Sequence, residues 1–346
     1  MAGTNGQSSL VNVIEKAIAD ALIAALRDAD VAPAVLIALS GGLDSMVLLD
    51  AAHRFWCAPT PKPNSLIGDN ELRAIHVHHG LSPHAEAWSD FCQRQCDQRK
   101  IKLTIVRVNI NRDNTDGLGI EGAARRARTA AFQADDASLI LVGQHADDQA
   151  ETILHQLLRG TGLAGMAAMG AARKLNDRQE LRRPLLTVSR AEIEAYARAH
   201  NLEWINDESN ADTTYTRNFI RHELTPLIAS RFPHYVLSLT RAARHAAESA
   251  QMLEELARID LQWDGHDATV GLLDHLGLVR QSNALYHWLK WHNASPPSHA
   301  QIEEWARQLF RASPSDKPHH AGGHDYVIRR KAERLTLEIT PTPPLK

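Results

Sequence analysis

Apolar positions along the chain change their period several times, and each change marks an element. Val11, Ile14, Ala17, Leu22 and Leu26 stand at helical spacing, which predicts a helix over 11–29. From residue 35 onward, short apolar runs alternate with amphipathic stretches. The runs 35–39 (VLIAL), 72–77 (LRAIHV), 103–110 (LTIVRVNI) and 139–143 (LILVG) read as buried strands. The stretches 43–56, 84–99, 120–135 and 147–159 read as helices between and after them. This alternation predicts an α/β fold, a parallel sheet with helices on both faces. Ligands of such sheets bind beyond the carboxyl ends of the strands, so Ser40, His76 to Gly80 and Gln144 to Asp148 are expected on one rim.

Further along, composition shifts to Gly, Ala and Arg over 160–188, which suits a loop over that rim, and a helix follows at 189–200. After Pro226 the alternation stops. Helices are expected at 234–261, 281–292 and 298–311, and 326–339 alternates like a small hairpin. The expected organisation is an N-terminal helix (1–30), an α/β domain (31–228) and a smaller, mostly helical domain with a terminal β-hairpin (229–346). The Pro-rich segment 57–70 reads as a mobile loop.

Bulk numbers narrow the class. A chain of 346 residues exceeds one ordinary core, and 44% hydrophobic with 23% charged residues is the composition of a soluble globular protein. No run of eighteen apolar residues exists and the first residues do not read as a secretory signal, so neither a membrane span nor export is expected. Three cysteines, Cys57, Cys92 and Cys96, argue against a disulfide framework and for a reducing cytoplasm. They also lack the pairing of a zinc or iron–sulfur ligand set. A net charge of −3 gives no global signature of a nucleic-acid binder, but arginines cluster locally, at 125–128, 182–183, 217–221 and 329–330.

The chemistry starts at S40GGLDS45, between a buried strand and a helix. Gly41 and Gly42 let an anion touch main-chain N–H groups at a positive helix end, and Ser40 and Ser45 add hydroxyl donors. Asp44 belongs beside a phosphate only if a cation lies between them, and Mg²⁺ would serve. No lysine follows, so this is not the phosphate loop of kinases and GTPases.

With those residues in view, S40GGLDS45 resembles the pyrophosphate loop of the N-type ATP pyrophosphatases, the PP-loop superfamily, which cleave ATP between its α- and β-phosphates. Other strings are similar to one branch, the lysidine synthetases: HVHHGLS (76–82), GIEGAARRAR (119–128), QHADDQAET (144–152), LRGTGLAG (158–165) and RPLL (183–186). A further match runs from Trp204 to Ile228, with Asp207, Asn210, Tyr215, Arg217, Asn218 and Arg221 on the pattern. Ser82 and Thr129 depart from it, standing where family members often carry arginine and tyrosine. Longer members continue with another small domain, so the chain, ending at Lys346, is expected to be a short form.

The resemblance implies a Rossmann-like domain of the adenine nucleotide alpha hydrolase type. The substrates it implies are ATP with Mg²⁺, free L-lysine and the isoleucine tRNA whose anticodon is CAU. The reaction it implies adenylates the wobble cytidine and then joins lysine to C2, giving lysidine. On this basis Ser40, Gly41, Gly42, Leu43, Asp44 and Ser45 hold the phosphates, with His76, His79, His145 and Arg128 lining the nucleotide. Asp44 and Asp148 are the expected metal ligands; Asp147 and Glu151 are candidates for the lysine ammonium groups, and Arg125 for the transferred phosphate. Arg183, Arg217 and Arg221 are expected to touch tRNA. A homodimer is left open. Two rival functions are a PP-loop enzyme that puts sulfur on cytidine, which typically needs C-x-x-C pairs, and a non-catalytic adenine-nucleotide binder, which has no need of Asp44 or Asp147-Asp148.

Overall fold

The computed structural model describes residues 4–27, 34–58, 72–110, 119–208, 212–263, 268–294, 297–310, 319–322, 326–331 and 333–339. Most of the Pro-rich segment and Asn210 therefore lie outside the described residues. The chain divides into two compact units, Met1–Ala243 and Arg244–Lys346.

The first unit opens with α1 (Thr4–Arg27) and then alternates: β1 (Val35–Ala38), α2 (Leu43–Cys57), β2 (Leu72–His78), α3 (Ala85–Gln98), β3 (Lys102–Arg107), α4 (Gly119–Ala134), β4 (Leu139–Leu141) and α5 (Ala146–Leu158). A short α6 (Leu163–Met166) leads to β5 (Ala172–Lys174) and β6 (Glu180–Arg182), and α7 (Arg190–Ala199) follows. The sheet runs β3-β2-β1-β4-β6-β5, parallel except for the edge strand β5. Segment 160–188, expected as a loop, thus supplies two strands. They read ARK and ELR, with no apolar run to mark them as β4's LIL does.

Side chains of the central strands alternate strictly between two cores. Val35, Ile37 and Leu39 with Leu139 and Leu141 pack on one face against α1, α2 and α7, while Leu36, Ile140 and Ile75 pack on the other with Ala131 and Phe132 of α4. This two-sided burial is why the strands read as continuous apolar runs. The strand order reverses direction at β1: the chain steps outward to β2 and β3, then crosses back to β4 on the other side. A crevice opens there between the loops after β1 and β4, and both loops carry chemistry-bearing strings.

Beyond α7 a continuous helical run comprises α8 (Thr216–Phe219), a π-helical segment Ile220–Leu224 and α9 (Thr225–Arg231). The long α10 (Tyr235–Asp260) follows, and the unit division falls within it. In the second unit a 3-10 turn Gly271–His275, α11 (Leu278–Trp291) and α12 (His299–Phe310) surround Trp288, Leu289 and Leu309. The terminal β-element has three strands: β7 (His319–Gly322), β8 (Tyr326–Lys331) and β9 (Arg334–Ile339). The sequence reading found the last two; the first, HHAG, has no alternation to detect.

Within the first unit, Asp50 ties three elements. Its buried carboxylate accepts from Arg54 at 2.7 Å, Arg99 at 3.1 Å and the Tyr196 hydroxyl at 3.2 Å. Burial opposes ionisation, yet Arg54 and Arg99 prevail and hold the carboxyl below its ordinary value. A lowered pKa adds stability that is fully present above the ordinary carboxylate range and is lost as pH falls through the folded-state value. Asp50→Ala strands the Arg99 guanidinium and is expected to lower unfolding stability by about 3 kcal/mol at neutral pH. Asp50→Asn should flatten the acid limb of stability against pH, and urea titrations from pH 3 to 7 measure both. An unchanged acid limb would contradict the assignment.

Candidate active site

The turn after β1 is built around Gly41, whose φ of +84° lies in the left-handed region. A Cβ there would stand 2.6 Å from Ile205 Cδ1 and 3.1 Å from Cys92 Sγ, so both backbone and space demand glycine. The Gly41 carbonyl accepts from Ile205 N–H at 2.9 Å, pinning the turn to the segment after α7. Gly42 is the N-cap of α2 and supplies no side-chain cap. Ser45 folds back instead: its hydroxyl donates to the Gly42 carbonyl at 2.9 Å and lies 3.0 Å from Ser40 Oγ. The serines thus shape the turn, while the first-turn N–H groups of α2 face the crevice without a capping side chain.

Opposite this turn, β4 delivers α5. A Cβ at Gly143 would lie 3.0 Å from the backbone of Asp44, which brings the two loops into contact. At the start of α5, His145 Nδ1 accepts from Asp147 N–H at 3.2 Å and the Asp148 carboxylate accepts from His145 N–H at 3.1 Å, a reciprocal cap. The cap uses the Nδ1 lone pair, so the neutral ring carries its proton on Nε2. That buried Nε2 has no hydrogen-bond partner and lies 3.7 Å from Asp44 Oδ1 and 3.4 Å from Asp148 Oδ2. The two carboxylates expected to hold a metal therefore flank one imidazole.

Four carboxylates share this crevice, and the surroundings set them apart. Burial pushes Asp44 up from its ordinary value, which His145 and Arg190 (3.4 Å) only partly offset. Burial also opposes ionisation of Asp148, but His145, Arg217 and Arg221 win and hold it low. Asp147 is lowered as well, against burial, by His145 and by the backbone N–H of Arg190, which donates to it at 2.8 Å. Asp148 and Glu151 are bound by two arginines: Arg217 reaches them at 2.9 and 3.2 Å, Arg221 at 2.8 and 2.6 Å. Every one of these hydrogen bonds is charge-assisted, which fixes the helical run 216–231 against α5.

The arginines expected at tRNA thus behave in two ways. Arg217 and Arg221 occupy the α5 carboxylates. Arg183 is buried, donates to Gly170 O at 2.7 Å and to Gln144, and has its pKa lowered to about 10 by burial beside Arg173 and Arg125. It braces the loop between α5 and β5. Arg125 and Arg128, on α4, lie close enough to each other for mutual repulsion, with Arg217 also acting on Arg128. His76 donates from Nδ1 to Leu39 O at 2.9 Å and so clamps the tips of β1 and β2 together. His79 is pushed down to about 4 by burial and by Arg128, and stays neutral at physiological pH.

Sequence reasoning missed three participants. Arg190 pairs with Asp44, and its backbone N–H donates to Asp147 from the start of α7; only the helix at 189–200 was expected there. Gly143 hid at a strand end. Gln149, inside the QHADDQAET string, exchanges two hydrogen bonds with the Met169 backbone at 2.9 and 3.0 Å and holds the 160–170 loop.

Hard oxygen donors on Asp44 and Asp148 suit Mg²⁺, which takes one or two carboxylates and completes its shell with water and substrate phosphates. Among the described residues no three His, Cys, Asp or Glu side chains form a closed cage. Carboxylate donors beside bare helix N–H groups have the chemistry that a polyphosphate and its cation require.

Comparison with known proteins agrees with this geometry. Residues 13–228 match the family described as PP-loop domain, and 270–336 match the TilS substrate binding domain. The tRNA(Ile)-lysidine synthase of Pseudomonas fluorescens is 44% identical over 268 residues, covering 73% of this chain and 57% of its own. That of Yersinia pseudotuberculosis is 41% identical over 309 residues, covering 88% and 66%. The chain therefore spans less than two thirds of these relatives' lengths. Among solved structures, the U34-tRNA thiolase NcsA of Methanococcus maripaludis, with its [4Fe-4S] cluster, superposes at a TM-score of 0.56 and 17% identity, over 70% of this chain and 80% of that one. At that identity the likeness is one of fold.

Gly41→Ala should lower unfolding stability by about 2 kcal/mol, since a side chain is forced into the left-handed region against Ile205. It should also abolish the thermal shift produced by ATP. Both are read by urea denaturation and differential scanning fluorimetry; a variant as stable as the parent would contradict the strain.

Proposed function

The chain belongs to the PP-loop family, and we propose that it acts as a tRNA(Ile)-lysidine synthase, using ATP to join free lysine to C2 of the wobble cytidine in a CAU anticodon. The observation that carries this reading is a single crevice that holds both the uncapped N-terminus of α2 and the carboxylates of α5. The relatives' names and the TilS substrate binding domain support the choice of RNA substrate.

Cytosine O2 is a poor leaving group. In the proposed first step it attacks the α-phosphorus of ATP and pyrophosphate departs. The lysine ε-amine then attacks C2, the C2–O2 bond breaks, and AMP leaves with the oxygen. Main-chain N–H groups at residues 43–45, in the first turn of α2, would receive the β- and γ-phosphates. Asp44 and Asp148 would hold Mg²⁺, which supplies charge neutralisation on the phosphates. Arg125 and Arg128, with no carboxylate ion pair at either among the described residues, suit the phosphate that stays with the base. Asp147 and Glu151 are the proposed anchors for lysine's ammonium groups, and one of them accepts the proton that the attacking amine sheds. Lysine must then compete with Arg217 and Arg221 for Glu151.

A sulfur-transfer reading is disfavoured by the thiols. Cys92 and Cys96 are buried and pushed up to about 12, the reverse of what a sulfur-carrying thiolate needs.

Incubation with ATP, labelled lysine and the CAU-bearing isoleucine tRNA should place label in the tRNA, with AMP and pyrophosphate formed in equal amounts. A tRNA that stays unlabelled while sulfur is incorporated would replace this reading with the rival. Asp44→Asn should reduce ATP–pyrophosphate exchange by at least about 100-fold and leave tRNA affinity unchanged; exchange at the parent's rate would remove Asp44 from the chemistry.

A further inference from the structure

The helical run 216–231 has two faces. Arg217 and Arg221 point inward to Asp148 and Glu151. The opposite side carries Tyr215, Phe219 and Leu227, and Phe232 ends the run; they are 48%, 43%, 70% and 63% exposed. Large apolar side chains in such density usually go inside, and a grouped exposed set marks a contact surface. Leu157, Leu158 and Leu163, around the end of α5, are exposed too, and α5 packs on α8 and on the π-helical segment.

Charge selects the partner. Some exposed arginines of this unit are neutralised, Arg198 by Glu194 at 3.6 Å and Arg107 by Glu86 at 2.8 Å. Arg159, Arg231 and Arg241, which border the apolar set in sequence, have no carboxylate within ion-pair distance among the described residues. Glu223 is the one carboxylate on the run itself. A protein interface rich in leucine would not require surplus arginine. Unpaired bases need a flat aromatic surface to stack on, and the phosphates that join them need cations.

We propose that Tyr215, Phe219 and Phe232, bordered by Arg159, Arg231 and Arg241, form a stacking platform for unpaired bases of a single-stranded RNA loop. The inference rests on the reading that the substrate is a tRNA, and assigns the nucleotides beside the target base to this face. An α-helix is roughly 10 Å across with its side chains, so the platform lies one helix width from the carboxylates that Arg217 and Arg221 hold. A base drawn to the inner face leaves its loop neighbours at the outer one, which offsets the lost stacking on removal of the target.

The test measures affinity for the CAU-bearing isoleucine tRNA across a salt series. The paired change Tyr215→Ala with Phe219→Ala, and separately Phe232→Ala, should weaken binding about tenfold with an unchanged salt slope. Tyr215→Phe with Phe219→Tyr should restore it. Arg159→Ala, Arg231→Ala and Arg241→Ala should each lower the slope by about one unit. The thermal shift produced by ATP reports folding of every variant. Alanine variants that bind like the parent remove the platform alone. So does a change of oligomeric state by light scattering, which would make the face a contact between copies. A parent chain with no affinity for tRNA removes the functional reading, and the platform with it.

Discussion

Everything at the crevice depends on how closely two backbones pass. With no Cβ at Gly143, the end of β4 lies against the first turn of α2, where a methyl group would press to 3.0 Å on Asp44. That approach sets helix N–H groups with partial positive charge beside the acidic start of α5. Either feature alone is ordinary. In the proposed function the two together offer a polyphosphate its hydrogen-bond donors and the carboxylates for its cation, at the point where the strand order reverses.

The same closeness creates a problem of like charge. Asp44, Asp147, Asp148 and Glu151 can share the space only because each is answered: Asp147 by His145 and the α7 backbone, Asp148 and Glu151 by Arg217 and Arg221, Asp44 by His145 and Arg190. The answers come from α5 itself, α7 and the run 216–231. The π-helical segment Ile220–Leu224 includes Arg221 and interrupts regular hydrogen bonding where the arginines must reach inward. In the proposed function fold and chemistry are coupled, since the cations that hold the run in place are the ones a substrate ammonium group would displace.

Much of this was legible in the sequence. Strands buried on both faces announce themselves as apolar runs, as β1 and β4 do; β3 was expected to be buried but is an edge strand of exposed and half-buried residues, because only β2 flanks it. The S40GGLDS45 turn was legible because glycine pairs and small hydroxyl residues at a strand–helix junction have few other uses. Strands β5 to β7 (ARK, ELR and HHAG) were hidden because none carries an apolar run, whereas β4, equally short, reads LIL. Partnerships across the chain were hidden for a different reason: nothing local marks that Arg190 will meet Asp44, or that Gly143 will touch its backbone. Nor did the sequence mark that Arg183, expected at the RNA, is buried in the fold and donates to Gly170 O and Gln144.

The account stands on the α2 turn being the phosphate grip. Backbone amide spectra during titration with magnesium pyrophosphate interrogate it without any catalytic step. The amides of Gly42, Leu43, Asp44 and Ser45 should move first and furthest, and should gain protection from hydrogen exchange. Pyrophosphate binding that leaves those four amides unmoved and shifts resonances elsewhere would contradict the account.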